Sequence, residues 1–355
     1  MTLPRHNKVF KKPSKDPNKD NGTVLITTLL IMTVMAAITV ALLDDIRVAV
    51  KRTINVNAYA QADWQGRGAE DFIRSWLSQN FVELDTLAQS IVLRDREPIL
   101  LPTQDGLITV QLKDASHCFN LNSVLSAEGL ATGSAAELVD LSTLIGVPLN
   151  QAESLSMSLM DWIDQDQNPR SGGAEDGTYL RATPPYRTAD TILASPGEMR
   201  ALNGMDEDLW ALYKPFVCIG VLGELTSVNI NTIRPEQIAV VAAALSQLDG
   251  ISTDEAVRAA QHILDERPPQ GYADLDAVRS AINTLRIDGF SETPQLNRIS
   301  TQVSSVFVEV VTTVGPAERV RVYRYDGLDN EAPTLTYRAW GRESFRPEIE
   351  DEDVQ

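Results

Sequence analysis

The feature that most constrains this chain is an unbroken apolar run. Residues 23–43, TVLITTLLIMTVMAAITVALL, hold no charged side chain over 21 positions. As a helix rising 1.5 Å per residue the run is about 31 Å long, enough to cross a bilayer core of about 30 Å. Helices buried in a soluble core are usually shorter and keep a polar stripe, whereas this run has only scattered Thr. A cleaved secretory signal has a shorter apolar core that ends at small residues, and here the small residue, Gly22, comes first. Arg5, Lys8, Lys11, Lys12, Lys15 and Lys19 precede the run against only Asp16 and Asp20, and Asp44 and Asp45 follow it. That asymmetry predicts a cytoplasmic N-terminus and an exported body.

The helical pattern continues beyond the apolar run. Ile46, Val50, Ile54, Ala58, Ala62, Ala69, Phe72, Ile73, Trp76 and Leu77 recur at spacings of three, four or seven and mark one amphipathic face. No Pro interrupts residues 18–97. A single helix over residues 23–79, about 85 Å long, is the expectation. Beyond it, residues 90–101 and 107–113 read as a hairpin around Pro102 and Asp105-Gly106, and residues 303–314 and 319–325 as two strands around Gly315-Pro316. Residues 334–340 alternate as a further strand. Between these, residues 119–295 are mostly Ala-rich amphipathic helix. Asn120-Leu121-Asn122 returns as Asn229-Ile230-Asn231, each followed by a helix pair and a polar turn near Asp164 or Asp265, which predicts an internal duplication. The fold class is α+β: a long N-terminal helix and antiparallel sheet with a large all-α insertion.

Charge narrows the function. The 49 acidic and 31 basic side chains give a net −18. So acidic a chain suits divalent cations better than polyanions, which require clustered Lys and Arg. Of the three histidines, His6, His117 and His262, none sits in a triad or metal motif, and no phosphate loop or nucleophile elbow appears. An interaction protein without catalysis is the expectation.

Several short motifs occur in order: CFNLN at 118–122, LMDWIDQDQNP at 159–169, GAEDGTY at 173–179, PPYRTAD at 184–190, SPGEMRALNGM at 195–205 and SVNINT at 227–232. Together with the basic leader, Gly22 and the two-part helix, they resemble the type IV pilin-like K-type minor pseudopilins of type II secretion (GspK). The resemblance spans residues 20–340. It implies a leader of residues 1–22 cut by prepilin peptidase at the Gly22–Thr23 bond, a membrane segment at 23–43, a pilin-like part at 44–118, the insertion at 119–295, C-terminal strands at 296–342 and an acidic tail at 343–355. Thr23 stands where the family has a bulky apolar residue, the leader is long, and the tail after Trp340 exceeds the family pattern. Thr27 occupies the position at which most pilins carry a glutamate, as K-type subunits do not. A subunit lacking that carboxylate need not pair with an ammonium group above it, which fits a filament tip. The implied partners are the I- and J-type minor pseudopilins and the inner-membrane secretion platform. The implied location is single-pass in the inner membrane of a Gram-negative bacterium, with the body in the periplasm.

The densest acidic segment is DWIDQDQNPRSGGAEDGTY. Asp164, Asp166, Glu175 and Asp176 share a loop made pliant by Asn168-Pro169 and Gly172-Gly173. Hard cations take six to eight oxygens at about 2.3–2.6 Å, which carboxylates and loop carbonyls supply. Taken locally, the loop reads equally as a cation site or as a solvated acidic turn. The resemblance implies Ca²⁺, with the GAED segment among its ligands. Asp190 is a further candidate, and Asp161 reads instead as a residue that caps or orients its helix. Cys118 and Cys218 both lie in the exported body, where disulfides persist, and each precedes an Asn-x-Asn motif. A bridge between them is the expectation, against the alternative of two buried thiols.

The insertion also resembles SAM-like or helix-hairpin-helix modules, through residues 228–245 and 249–278. In DNA-binding proteins such hairpins cradle phosphate, and the rival function is a DNA-binding tip of a DNA-uptake or type IV pilus. Here the hairpin Leu248-Asp249-Gly250-Ile251 is flanked by Asp254, Glu255, Asp265 and Glu266, so packing is the expected role and no nucleic acid is expected as a partner.

Overall fold

A computed structural model describes residues 17–81, 89, 92–94, 98–225, 227–248, 251–285, 296, 298–328 and 333–341. The leader up to residue 16, residues 249–250 of the expected hairpin and the tail beyond residue 341 lie outside them. The chain divides after Ala58 into two units.

Helix α1 (Pro17–Trp76) is 60 residues long and runs into a single π-helical turn, Leu77–Phe81. It therefore starts earlier than residue 23, and the Gly22–Thr23 bond lies inside it. Pro17 suits the first turn, where its missing N–H leaves no bond unmade. From Val24 to Val56 the large apolar side chains are exposed to whatever surrounds the helix. Among the described residues this is the one helix long and apolar enough to cross a membrane. Its hydroxyls do not spoil that. Thr27, Thr28 and Thr33 donate to carbonyls three residues back, at 2.8–2.9 Å, and Thr39 donates to the carbonyl four back at 2.8 Å. Each polar group is thus satisfied within the helix itself, as hydrocarbon requires.

In the second unit, β1 (Ile99–Pro102), β2 (Gly106–Asp114), β7 (Ser305–Val314), β8 (Ala317–Asp326) and β9 (Thr334–Trp340) form an antiparallel sheet in the order β1-β2-β7-β8-β9. Residues 92–94 are helical, so the expected strand over residues 90–101 shortens to Ile99–Pro102. Charged Arg94, Asp95, Arg96 and Glu97 break the apolar alternation just before Pro98, which explains the late start. Ala69, Ile73, Leu77 and Phe81, spaced by four, lay one helical stripe on Ile108, Val110, Leu112, Val308 and Tyr323. On the opposite face Phe307 and Val322 pack with Ala115, Cys118 and Cys218. The strand period of two makes this division: Phe307 and Val308 are neighbours in sequence and face opposite layers.

The insertion enters after β2 and returns before β7, although these strands pair directly from Gly106↔Val314 to Asp114↔Val306. It therefore leaves the sheet register untouched. Its helices are α2 (Gly133–Leu144), α3 (Leu149–Ile163), α4 (Asp176–Tyr179), α5 (Glu207–Tyr213), α6 (Ile238–Ser246), α7 (Thr253–Asp265) and α8 (Leu275–Asn283), and they share one core. Two short parallel pairs frame them: β3 (Phe119–Asn120) with β4 (Val217–Cys218), and β5 (Val228–Asn229) with β6 (Ile299–Ser300).

The Asn-x-Asn motifs make the same bonds twice. Asn122 N–H donates to Asn120 Oδ1 at 3.0 Å, and Asn231 N–H to Asn229 Oδ1 at 3.0 Å. Asn122 Oδ1 accepts from Leu193 N–H at 2.9 Å while its Nδ2 donates to the carbonyls of Leu193 and Gly220, both at 3.1 Å. Asn231 Oδ1 likewise accepts from Tyr272 N–H at 2.6 Å while its Nδ2 donates to the carbonyls of Tyr272 and Thr301, at 2.8 and 3.1 Å. The repeat in the sequence is a repeat of hydrogen bonding.

Two further ties hold the insertion. Asp114, 1% exposed at the end of β2, accepts from Ser116 N–H and Oγ, from Asn229 Nδ2 and from Thr232 Oγ1, at 2.6–2.8 Å. Cys118 and Cys218 form a disulfide across the β3–β4 pair, with Cα atoms 5.6 Å apart and a sequence separation of 100. Closing so long a loop stabilises by up to about 4–5 kcal/mol in the chain-entropy account. Replacing both cysteines by Ala is expected to lower the unfolding free energy by about 2–5 kcal/mol. Guanidinium denaturation of the detergent-solubilised chain measures it, and unchanged midpoints would rule the bridge out as a stabiliser.

Candidate metal centre

Helix α3 delivers two acids at its C-terminal end. Asp161 sits in the last turn and Asp164 is the C-cap, its N–H bonded to Met160 O at 3.0 Å. The i, i+3 spacing puts both carboxylates on one face. This is an unfavourable place for negative charge, because the helix dipole is itself negative here. Glu175, the N-cap residue of α4, brings a third acid from the other side of the loop without capping that helix with its side chain. Gly173 lies against the Asp161 carboxylate so closely that any Cβ would collide with it. Asp161 is 0% exposed, Asp164 8% and Glu175 3%. One oxygen from each lies within 4.8 Å of the others.

These are the dimensions of a shared hard cation, whose opposed ligands stand at most about 5 Å apart at bond lengths of 2.3–2.6 Å. Two observations on the donors agree with that fit. Both Glu175 oxygens and Asp164 Oδ1 are buried without a hydrogen-bond partner, which costs several kcal/mol per group if nothing compensates it. Burial, reinforced by the charges of Asp161, Asp164, Asp190 and Asp166, pushes Glu175 up to about 7. Asp161 is raised as well, by burial first, with Arg170 pulling the other way. An open groove of about 580 Å³, lined by Leu125, Ile163, Asp164, Asp166, Ile192 and Leu222, leads from Asp164 to solvent.

Of the five expected ligands, the structure brings Asp164 and Glu175 together, and Asp161, expected to cap or orient its helix, stands beside them. Asp161 instead accepts the Arg170 backbone N–H at 3.1 Å and lies in the cluster. The i, i+3 spacing to Asp164 was the signal for it. The other three stand outside that triad, each already holding donors. Exposed Asp166 folds back to accept from Asn168 N–H and Nδ2, at 2.8 and 3.0 Å. Asp176 accepts from Thr188 N–H at 3.1 Å and pairs with Arg187 at 2.8 Å. Asp190, left-handed at φ 51°, accepts from Thr188 Oγ1 at 2.6 Å and Gln167 Nε2 at 3.1 Å.

Among the described residues, the helix-hairpin-helix-like segment has no comparable arrangement. Asp254 and Glu255 fill the first turn of α7, and Glu255 closes a capping box with Ser252, so the helix end that would meet phosphate is already negatively charged.

The motifs, the fold and the acid loop now stand beside known proteins. The profile of the type II secretion system (T2SS) protein K family matches residues 117–221. Type II secretion system protein K of Aeromonas hydrophila is 30% identical over 331 residues, covering 89% of this chain and 96% of that protein. The chain belongs to the protein K family. A putative protein K of Escherichia coli K12 is 31% identical over 268 residues, covering 73% of this chain and 79% of that protein. The fold matches a chain in the crystal structure of the GspK-GspI-GspJ complex of enterotoxigenic Escherichia coli, with a TM-score of 0.64 at 24% identity, covering 82% of this chain and all of that one. The chain is thus a type II secretion minor pseudopilin of the K type, and the long helix with its sheet and helical insertion is that family's architecture.

The raised Glu175 predicts a pH dependence. This carboxyl ionises near 4.5 unperturbed and near 7 in the folded chain. Between those values the folded state binds more protons than the unfolded one, so stability in chelator falls as pH rises through that window. Glu175→Gln cannot ionise and is expected to flatten the slope. Urea titrations in chelator across the window measure it, and an equal slope in the variant would assign the effect to another group.

Proposed function

We propose that this minor pseudopilin caps the tip of the type II secretion pseudopilus, where it initiates or limits assembly during export of folded proteins from the periplasm. The observation that carries this reading is the helical insertion spliced between adjacent strands β2 and β7. It adds a second body to a pilin-like sheet without interrupting it, and such bulk suits a subunit with nothing stacked above. Thr27, whose hydroxyl is satisfied by its own helix, supports the same reading, because this chain offers no buried carboxylate to a neighbour's ammonium group.

The rest of the proposal follows the same logic. Prepilin peptidase removes residues 1–22 at Gly22–Thr23, which requires local unwinding of α1 at that bond. The processed chain stays single-pass in the inner membrane with its body in the periplasm. It assembles with I- and J-type minor pseudopilins, as does the Escherichia coli chain whose fold it shares, and engages the secretion platform. Its role is structural rather than catalytic. Asp161, Asp164 and Glu175 bind Ca²⁺, with Asp166, Asp176 and Asp190 around them as an outer rim. The bound ion would partner the Glu175 oxygens and Asp164 Oδ1, which are buried without a hydrogen bond, and tie the end of α3 to the start of α4.

Two measurements test this. Co-expression of the full chain with cognate I- and J-type subunits, followed by detergent extraction and affinity purification, is expected to yield a stoichiometric ternary complex; failure to co-purify would count against the tip reading. Calcium at about a hundredfold above its Kd is expected to stabilise the chain by about 2.7 kcal/mol. That gain appears as a higher melting temperature than in EDTA and disappears in Asp161→Asn or Glu175→Gln. No difference between calcium and EDTA in the native chain would remove the metal from the proposal.

A further inference from the structure

Arg170 pairs with two acids of the triad. Its Nη1 donates to Asp161 Oδ1 at 2.8 Å and also to Asp164 Oδ2. Its backbone N–H is held by Asp161 as well, 3.1 Å from Oδ2, which fixes where the side chain begins. The two carboxylates are 0% and 6% exposed, whereas 26% of the Arg170 side chain still faces solvent. The guanidinium serves only part of the cluster: Asp164 Oδ1 and both Glu175 oxygens remain buried and unpartnered.

The oxygens that a cation would take from Asp161 and Asp164 belong to the carboxylates Arg170 already occupies. A guanidinium and a divalent cation a few ångströms apart in a poorly solvated site repel strongly, so the cluster cannot serve both at once. Arg170 also has a way out, since its partly exposed side chain lies on a loop that contains left-handed Gly172, at φ 88°.

We propose that Arg170 is an exchangeable internal counter-ion, which neutralises Asp161 and Asp164 in the cation-free chain and leaves for solvent when a divalent cation takes their oxygens. This rests on the calcium reading of the site. The exchange keeps the body folded before metal arrives, and it weakens apparent affinity by the cost of ejecting the side chain. Arg170 thereby sets the calcium concentration at which the loop closes.

The test titrates calcium into the full chain in detergent, stripped of metal, by isothermal calorimetry, comparing the native protein with R170Q and R170K. Removing a competing charge is expected to tighten binding about tenfold in R170Q, within the range of about 5–150-fold usual for coupled sites. R170K keeps the charge and is expected to bind within about twofold of the native chain, on the same coupling argument. In chelator R170Q is expected to melt below the native protein and to gain more on adding calcium. A native chain that binds calcium while R170Q binds equally or more weakly overturns the exchange and leaves the calcium site standing. A native chain with neither binding heat nor a calcium-dependent melting shift overturns both. If R170Q folds only with calcium, the uncompensated cluster accounts for it and the proposal holds; if it fails to fold even with calcium, Arg170 is a permanent structural partner and the proposal is wrong.

Discussion

A carboxylate taken out of water must find an opposite charge or a full set of donors, at a cost of several kcal/mol if it does not, and each part of this chain meets that demand differently. The membrane-length segment avoids it by having no charged side chain, and its Thr hydroxyls donate to carbonyls of their own helix. Asp114 meets it with donors alone, four of them drawn from both sides of the junction between sheet and insertion. Buried Glu137 pairs with buried Arg298, which joins the first helix pair to the start of the last short strand. Around Glu175 the compensation stops short: both of its oxygens and Asp164 Oδ1 are buried without a hydrogen-bond partner.

The junctions depend on a second economy. An Asn amide offers a donor and an acceptor on one planar group, so it can replace a strand's backbone bonds where no strand fits. Asn122 and Asn231 both do so, each gripping a distant loop by its N–H and its carbonyl. With Asn120 and Asn229 turning the chain just before them, two residues specify both a turn and a long-range clasp. This lets two helical halves be set between β2 and β7 while those strands keep an unbroken antiparallel register.

What could be read from the residues follows from how local each signal is. The apolar run, the alternation of residues 334–340 and the Asn-x-Asn repeat are periodic or verbatim, and α1, β9 and the two clasps stand at those places. The expected strand over residues 90–101 failed because its apolar content masked the charges at 94–97 that precede the true start at Ile99. The acidic loop was legible as a region but not as a geometry. Asp164 and Asp166 look equivalent in sequence, yet one caps α3 and points inward while the other turns back onto Asn168. Asp161 stands in the last turn of α3, where a carboxylate meets the negative end of the helix dipole, and its oxygens turn instead to Arg170.

The two repeats differ in the length of one connection. In the second repeat the chain passes from the end of α7 at Asp265 to its clasp residue Tyr272 in a short turn, where Arg267 donates to the Ile230 and Ile233 carbonyls at 2.8 Å. In the first, the corresponding path from Ile163 to Leu193 is several times longer and contains only one short helix, α4. So long an excursion must be fixed against considerable chain entropy, and its apolar anchors are few: Ala174, Tyr179 and Leu193 enter the insertion core, and Tyr179 and Tyr186 pack ring to ring with Trp162 of α3. Ionic pairing adds to these anchors. Acids stand on both sides of the turn, Asp161 and Asp164 before it and Glu175 after it, and Arg170 within it donates to Asp161 and Asp164, so the turn is closed onto the end of α3 by charge as well as by packing.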